Sequence, residues 1–443
     1  MVTILTVVGT RPEAIKMAPV LKELARYPSQ VHSVLCAAGQ HRAMLQSVFS
    51  VFDLRPDVDL DVMEPDQRLP GLAARLFSGL DAVVRHTQPD WVFAQGDTAT
   101  VFAASMVAFY NRVRFAHVEA GLRTGDRQQP FPEEMHRQVA DLAADLLFAP
   151  TETAAQALRR EGLRESDIFV TGNTVIDALF DVVARPYDWT AGPLAGLEPT
   201  GRLVLITAHR RESFGAPFRE LCRAIRDLAR EFAPSGVQFV FPVHLNPNVR
   251  QPVHEILSGV SGLTLIEPLD YVSLVHLMKA SELVLTDSGG IQEEAPALNV
   301  PALVMRQMTE RPEGLAGGGV GLVGTDYQAI VSAVRARLCE PAVRPSLSAP
   351  CPYGDGRAAE RIVSITLGRS GTNMRAAGSL RSLARHDEER RSSTRPPHPT
   401  GRVGSHLGLP DEARARPDRA IAVRRRRAEG ASHRPAFAES LLG

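Results

Sequence analysis

Short apolar runs alternate with longer stretches, in which apolar residues recur every three to four positions, along the first 184 residues. The apolar runs fall at 2–8, 31–38, 91–95, 114–118, 146–149 and 168–171. Each has the length of a strand, and the stretches between have the period of a helix buried on one face. Alternation of this kind predicts a parallel sheet covered by helices on both sides. Residues 185–202, RPYDWTAGPLAGLEPTGR, lose the periodicity and gather Pro and Gly, which predicts a linker. The pattern then resumes, with strand-like runs at 203–207, 237–242, 263–266, 283–286, 302–305 and 321–323. The predicted fold class is therefore α/β, in two similar halves, 1–184 and 203–352, on either side of that linker.

A chain of 443 residues, 44% hydrophobic, has room for two such cores. It holds no run of about 18 or more apolar residues, and Met1 leads directly into VTILTVV without a basic leader, so a soluble, cytoplasmic protein is expected. Cys36, Cys222, Cys339 and Cys351 form no CxxC or mixed Cys/His spacing, which argues against a disulfide framework and a structural zinc site. Lys plus Arg balance Asp plus Glu at 50 each, but the balance is uneven along the chain. From Arg369 the sequence turns rich in Arg, Ser, Gly and Pro, with a basic run at 424–427. A segment so poor in periodic apolar residues cannot offset its ordering entropy, and 369–443 is expected to be a disordered basic tail. Its charge also fits a nucleic-acid or membrane-surface arm, but composition favours the plain extension.

Polar residues gather just after the predicted strands, where doubly wound folds bind ligands. GTRPEAIK follows the first strand, with Gly9 at the turn, Arg11 able to reach an anion, and Lys16 further along the helix. GDTAT places Asp97 past the strand at 91–95, and HVEAGLRTGD places His117 in or beside the next strand and Glu119 after it. A long loop then leads to FPEEMHR, with Glu133, Glu134, His136 and Arg137. In the second half AHRRES carries His209, Arg210 and Arg211, PVHLNPN carries His244, and TERPE carries Arg311. Between the strand at 283–286 and a helical run from Ile291, the residues Ser288, Gly289 and Gly290 are expected to form a turn. Two glycines, a hydroxyl and a helix N-terminus suit an anion such as phosphate, and Glu294 near the helix start suits sugar hydroxyls. Asp287 or Ser288 capping the helix is the simpler reading of the same stretch.

The first half thus offers carboxylates (Asp97, Glu119, Glu133) and the second offers anion-binding groups. A diphosphate held by the second domain would present its attached group to carboxylates of the first across a closing cleft. Carboxylates there work as general acids and bases once burial and neighbours raise their pKa values. Taken singly each residue also fits a helix cap or a surface ion pair, and for Glu134, His136 and Arg137 that reading is as good. His209 and His244 lie on different predicted strands and no HxH or HExxH spacing occurs, so no metal is expected.

These segments carry a family resemblance. GTRPEAIKMAPV (from Gly9), QHRAML (Gln40), GDTAT (Gly96), HVEAGLRTGD (His117), PEEMHR (Pro132), TGNTVIDAL (Thr171), AHRRESFG (Ala208), PVHLNPNVR (Pro242), TDSGGIQEEAPAL (Thr286), TERPEG (Thr309) and PYGDGRAAERI (Pro352) follow one another as in the non-hydrolysing UDP-N-acetylglucosamine 2-epimerases. The resemblance runs from Met1 to about Leu367. It implies a GT-B architecture, two Rossmann-like domains facing across a cleft, a helix at 353–368 that crosses back to the first domain, and a homodimer. It implies reversible conversion of UDP-N-acetylglucosamine to UDP-N-acetylmannosamine, by elimination of UDP to 2-acetamidoglucal and re-addition, supplying amino sugars for cell-surface polysaccharide. No cofactor is implied. Arg11, His209, Ser288, Gly289, Gly290 and Arg311 are expected at the diphosphate and Glu294 at the ribose. Lys16, Asp97, Glu119 and Glu133 are expected around the hexose, with Asp97, Glu119, Glu133 and His209 as the catalytic set. Gln40, Gln67 and His244 resemble the region where some bacterial members bind a second UDP-N-acetylglucosamine as an allosteric effector.

The chain departs from that pattern in places. His136 stands where the family usually has Asn, and LAGGGVGLVGT has Gly319 and Gly321 in place of a Thr and a basic residue. Leu274 stands where an aromatic residue is common, and the basic tail has no counterpart. The competing expectations are a hydrolysing epimerase, which is usually fused to a kinase domain not seen here, a GT-B glycosyltransferase, and a weakly active UDP-sugar sensor.

Overall fold

The computed structural model describes residues 1–39, 42–64, 67–197, 201–309, 311–316, 319–339 and 351–370, without the side chains of 42–44. Gln40, Gly317, Gly318 and the Arg-rich segment beyond 370 lie outside the described residues.

The first sheet contains β1 (Val2–Val8), β2 (Val31–Ala37), β3 (Val58–Asp59), β4 (Trp91–Gln95), β5 (Arg114–Val118), β6 (Leu146–Ala149) and β7 (Ile168–Val170). They lie in the order β3-β2-β1-β4-β5-β6-β7, every pair parallel. Between them run α1 (Arg11–Leu24), α2 (Arg42–Phe52), α3 (Leu69–Thr87), α4 (Ala99–Tyr110), α5 (Glu133–Ala143) and α6 (Glu152–Arg160), with α7 (Thr174–Val183) after β7. The second sheet contains β8 (Arg202–Thr207), β9 (Val237–Pro242), β10 (Leu263–Ile266), β11 (Leu283–Thr286), β12 (Ala302–Val304) and β13 (Val320–Leu322), in the order β10-β9-β8-β11-β12-β13 and again all parallel. Its helices are α8 (Ala216–Phe232), α9 (Pro247–Leu257), α10 (Tyr271–Ala280), α11 (Gly289–Ala297), α12 (Pro312–Ala316) and α13 (Tyr327–Cys339). A last helix, α14, occupies 358–370 rather than the expected 353–368, because the chain before it turns through Gly354 and Gly356 at positive φ, 129° and 79°.

Helices on both faces demand apolar strands, and β4, Trp-Val-Phe-Ala-Gln, is buried at every position. The helices bury one stripe each: α8 turns Phe218, Leu221, Cys222, Ile225, Leu228 and Phe232 inward at three- and four-residue spacing. The strand order reverses between β1 and β4 in the first sheet and between β8 and β11 in the second. At such a reversal the flanking connections leave on opposite sides, and a crevice opens beyond the carboxyl ends of the strands. Residues 9–16 and 97 follow the first reversal, and 208–211 and 287–294 the second.

The later segments tie back to the first sheet. Ala358 and Ala359 donate their amides to the Asp177 carboxylate at 3.2 and 2.9 Å, and the Trp91 indole donates to the Ser370 hydroxyl at 3.0 Å. Ile362 and Val363 are fully buried among residues that include Ala178, Leu179 and Val182. Within 185–197, Tyr187 stacks on His276 with ring centroids 4.8 Å apart, and Leu194 and Leu197 are buried.

Three further local expectations need correction. The two-residue edge strand β3 was not expected, because it is too short to show a period. The last strand sits one residue earlier than the sequence suggested. Gly289 and Gly290 are the first residues of α11 with Ser288 as its N-cap, so the helix starts two residues before Ile291 and Glu294 falls in its second turn.

Candidate active site between the two sheets

Lys16 projects from α1, Asp97 follows β4, Glu119 follows β5 and Glu133 opens α5. Glu119 takes a left-handed backbone conformation, φ 68°. That conformation costs a non-glycine residue ~1–2 kcal/mol and is held here by its surroundings. The amides of Glu119 and Ala120 both donate to the Phe148 carbonyl, at 3.0 and 3.1 Å. The Glu119 carboxylate is buried against Lys16 Nζ, 2.7 and 2.8 Å from its two oxygens, against Asn173 Nδ2 at 3.0 Å, and against the Gln95 amide. Burial alone would raise its pKa, but Lys16 and Arg311 outweigh burial and hold it below the usual carboxylate range. Burial likewise works against the Lys16 charge, and Glu119 and Glu293 overcome it.

Asp97 is held differently. Its carboxylate pairs with the buried Arg137, and its carbonyl accepts from His136 Nδ1 at 3.2 Å. The His136 ring stacks on Phe102, centroids 5.2 Å apart, and burial lowers its pKa. Burial pushes the Glu133 carboxyl up, and Asp97 adds to the push against the pull of its own backbone amide, Arg137 and Arg210. Beneath them His117 lies 2.6 Å from Asp141 Oδ1 and 2.7 Å from the Gly96 carbonyl, which fixes the turn that presents Asp97. Glu134 accepts the Thr124 amide at 3.2 Å, which secures the long loop before α5, and lies 3.3 Å from Nη1 of the same Arg137.

On the second sheet, the Asp287 carboxylate accepts the amides of His209 and Arg210 at 2.7 and 2.8 Å, locking the loop after β8 to the end of β11. The Ser288 hydroxyl makes no capping bond, so Ser288 caps by position only. His209 stacks on His244, centroids 5.3 Å apart. Burial lowers the His209 pKa; Asp287 opposes, while His244, Arg210 and Arg11 push it down further. The Arg311 guanidinium lies over the first turn of α11, where a Cβ on Gly289 would meet its Nη1 at 2.8 Å and its Cζ at 3.1 Å. Glycine is what lets the arginine approach. Glu294 accepts from the Tyr271 hydroxyl at 2.9 Å, and burial raises its pKa to about 7. Arg11, the first residue of α1, adds its charge from the first half, disfavouring the His209 imidazolium and lowering the Glu294 pKa.

Most of the residues expected at the site thus converge. His209, Ser288–Gly290, Glu294 and Arg311 share one end of the second sheet, and Arg11, Lys16, Asp97, Glu119 and Glu133 share the facing end of the first. His244 joins through its stacking on His209. Gln67 is engaged locally, its carbonyl oxygen taken by Arg75. Two buried residues were missed as site residues. Asn173, the N-cap of α7, donates from Nδ2 to Glu119 Oε1 at 3.0 Å and to Glu293 Oε2 at 2.7 Å, and Glu293 in turn pairs with Arg311. Two adjacent acids ahead of the apolar run APAL were the available sign for Glu293; for Asn173 the sequence offers only a helix-cap signature.

With this geometry in hand, comparisons with known proteins are specific. Residues 22–367 match the family model of UDP-N-acetylglucosamine 2-epimerase. The chain is 49% identical over 367 residues to the UDP-N-acetylglucosamine 2-epimerase of Yersinia pestis, covering 81% of this chain and 97% of that protein. It is 48% identical to the enzyme of that name from Escherichia coli K12, with the same coverage. Among solved structures it resembles the UDP-GlcNAc 2-epimerase of Neisseria meningitidis bound to UDP-GlcNAc, with TM-score 0.77 and 41% identity over 83% of this chain and 100% of that one. It also resembles the Methanocaldococcus jannaschii enzyme in complex with UDP-GlcNAc and UDP, with TM-score 0.69 and 31% identity over 82% of this chain and 99% of that one. Matches of this extent and identity, on two facing Rossmann-like sheets, identify the chain as a member of the UDP-N-acetylglucosamine 2-epimerase family.

Proposed function

We propose that the protein interconverts UDP-N-acetylglucosamine and UDP-N-acetylmannosamine without hydrolysis. The observation that carries this reading is the facing of an anion site, the start of α11 with Arg311 and His209, toward the carboxylates Asp97, Glu119 and Glu133. The C2 proton of the hexose is not next to a carbonyl, so deprotonation alone is out of reach. Elimination solves the problem. A carboxylate removes the C2 proton, the C–H electrons form a C1–C2 double bond, and the C1–O bond breaks with its electrons leaving on the UDP oxygen. Re-addition of UDP at C1, with a proton delivered to the other face of C2, completes inversion.

Each half supplies what one side of that step needs. The α11 N-terminus and Arg311 stabilise the charge that grows on the departing diphosphate and retain it for return. His209 joins the catalytic set there as a proton-bearing diphosphate ligand. Glu294, beside Tyr271, takes the ribose. Glu119 is held by Lys16 in the anionic form that can take a proton, and Glu133 is pushed toward the protonated form that can give one. Asp97 shares the proton work beside Glu133.

On the same reading the enzyme works in the cytoplasm as a homodimer. An exposed apolar strip supports the dimer: Phe109 and Tyr110 end α4, and Met135 and Leu142 lie on α5, all 47–75% exposed. Sedimentation of the full chain checks this, and a monomer at micromolar concentration contradicts it. His244 against His209 is the point of support for a second UDP-N-acetylglucosamine acting as effector. Chromatography of products from UDP-N-acetylglucosamine tests the whole: UDP-N-acetylmannosamine is expected, whereas free N-acetylmannosamine with UDP, or UDP release that requires an acceptor, contradicts it. Among the described residues no helix is long and apolar enough to cross a membrane.

A further inference from the structure

Asn173 and Glu293 lie 120 residues apart, one on each half, and are 2% and 1% exposed. A side-chain amide has two N–H donors and one carbonyl. The Asn173 carbonyl accepts the Val175 amide at 3.1 Å, while Nδ2 faces Glu119 at 3.0 Å and Glu293 at 2.7 Å. The orientation is therefore fixed, since a flipped amide would set its oxygen against two carboxylates. The Asn173 backbone is pinned as well, its amide donating to the Tyr353 carbonyl at 2.7 Å. At Gly172 a Cβ would come within 3.2 Å of Gly354 Cα, so the glycine pair permits this docking.

Glu293 is a costly group to keep in a core unless its charge is answered. One oxygen pairs with Arg311 Nε, and the other takes the Asn173 amide. The contacts form one continuous path, Arg311–Glu293–Asn173–Glu119–Lys16, from the start of α11 to a carboxylate on the other sheet. A diphosphate that draws Arg311 toward itself must change what Glu293 asks of Asn173, and Asn173 is also a partner of Glu119. We propose that Asn173 and Glu293 are positioning residues that couple nucleotide binding at Arg311 to the Glu119 carboxylate. The proposal rests on the reading of Arg311 as the diphosphate cation and of Glu119 as the proton-transfer group.

Coupling is reciprocal, so it can be read in binding alone. UDP affinity is measured by titration calorimetry on the full chain, with Glu119→Gln made in the unaltered, Glu293→Gln and Asn173→Ala backgrounds. Glu119→Gln is expected to change the UDP Kd about fivefold or more in the unaltered chain, and by less than about twofold once either connector is gone. An equal change in every background, or none in the unaltered chain, overturns the proposal. If Asn173→Ala fails to fold, the isosteric Glu293→Gln cycle decides. A chain that binds UDP and shows the cycle but makes no UDP-N-acetylmannosamine overturns the proposed reaction and leaves the coupling standing. An unaltered chain that binds no UDP overturns both.

Discussion

The ammonium of Lys16 lies 2.7 and 2.8 Å from the two carboxylate oxygens of Glu119, with the two side chains 11% and 3% exposed. A pair this dry is weak evidence for stability, but breaking it from one side leaves a buried charge unanswered. Lys16→Met is therefore expected to destabilise the fold by about 3–5 kcal/mol and to abolish turnover. Adding Glu119→Gln should recover most of the stability and none of the activity. Denaturant titration with an activity assay on both variants checks this. Stability unchanged by Lys16→Met would mean that Glu119 is not held as an anion.

Asp97 is expected to matter to chemistry rather than to nucleotide affinity. Asp97→Asn keeps an acceptor toward Arg137 but loses the proton site, so kcat should fall by about 10²- to 10⁴-fold. UDP binding, measured by calorimetry, should change little. Full turnover in this variant removes Asp97 from the catalytic set.

His209 gives a pH prediction. Its folded pKa is lowered, by burial and then by nearby cations, so the ring is neutral near pH 7 in the empty site. A diphosphate favours the imidazolium. UDP binding should then take up protons, and affinity should strengthen as pH falls through the window between the bound and empty pKa values of the ring. Calorimetry in buffers of different ionisation enthalpy reads the uptake, and His209→Asn should reduce it. Equal uptake in the variant assigns the proton to another group.

Glu13 gives a stability prediction. Its carboxylate accepts the Gly9 amide at 2.6 Å, and burial raises its pKa from 4.5 to about 7. A raised folded pKa means that its contribution is fully present below pH 4.5 and is lost as pH rises through 7. Glu13→Gln cannot ionise, so relative to the unaltered chain it should gain up to about 3 kcal/mol between pH 5 and pH 8. Urea titrations at the two pH values check this. A pH-independent difference would place the Glu13 pKa near its ordinary value.

Much of the fold was legible because buried parallel strands are uninterrupted apolar runs. β1, β4, β5, β6, β9, β10 and β11 have the bounds that the pattern suggests. The pattern fails where it has no length, as at β3, and where glycines start a helix that their propensity disfavours, as at Gly289. Strand-end positions pointed to the site because a switch point places its ligands there. Pairings were not legible. Lys16 and Glu119 are 103 residues apart, and Asn173 and Glu293 are 120 apart, while periodicity reports only on neighbours along one element. Nor does a sequence say which of three carboxylates burial will push toward protonation.

The measurement that tests the proposed reaction most directly is NMR of UDP-N-acetylglucosamine incubated with the full chain in deuterated water. Deuterium at C2, appearing together with UDP-N-acetylmannosamine, is the expected result, because proton removal and return on the other face both pass through exchangeable carboxylates. UDP-N-acetylmannosamine that retains the original C2 proton, or a folded chain that binds UDP and leaves C2 untouched, would contradict it.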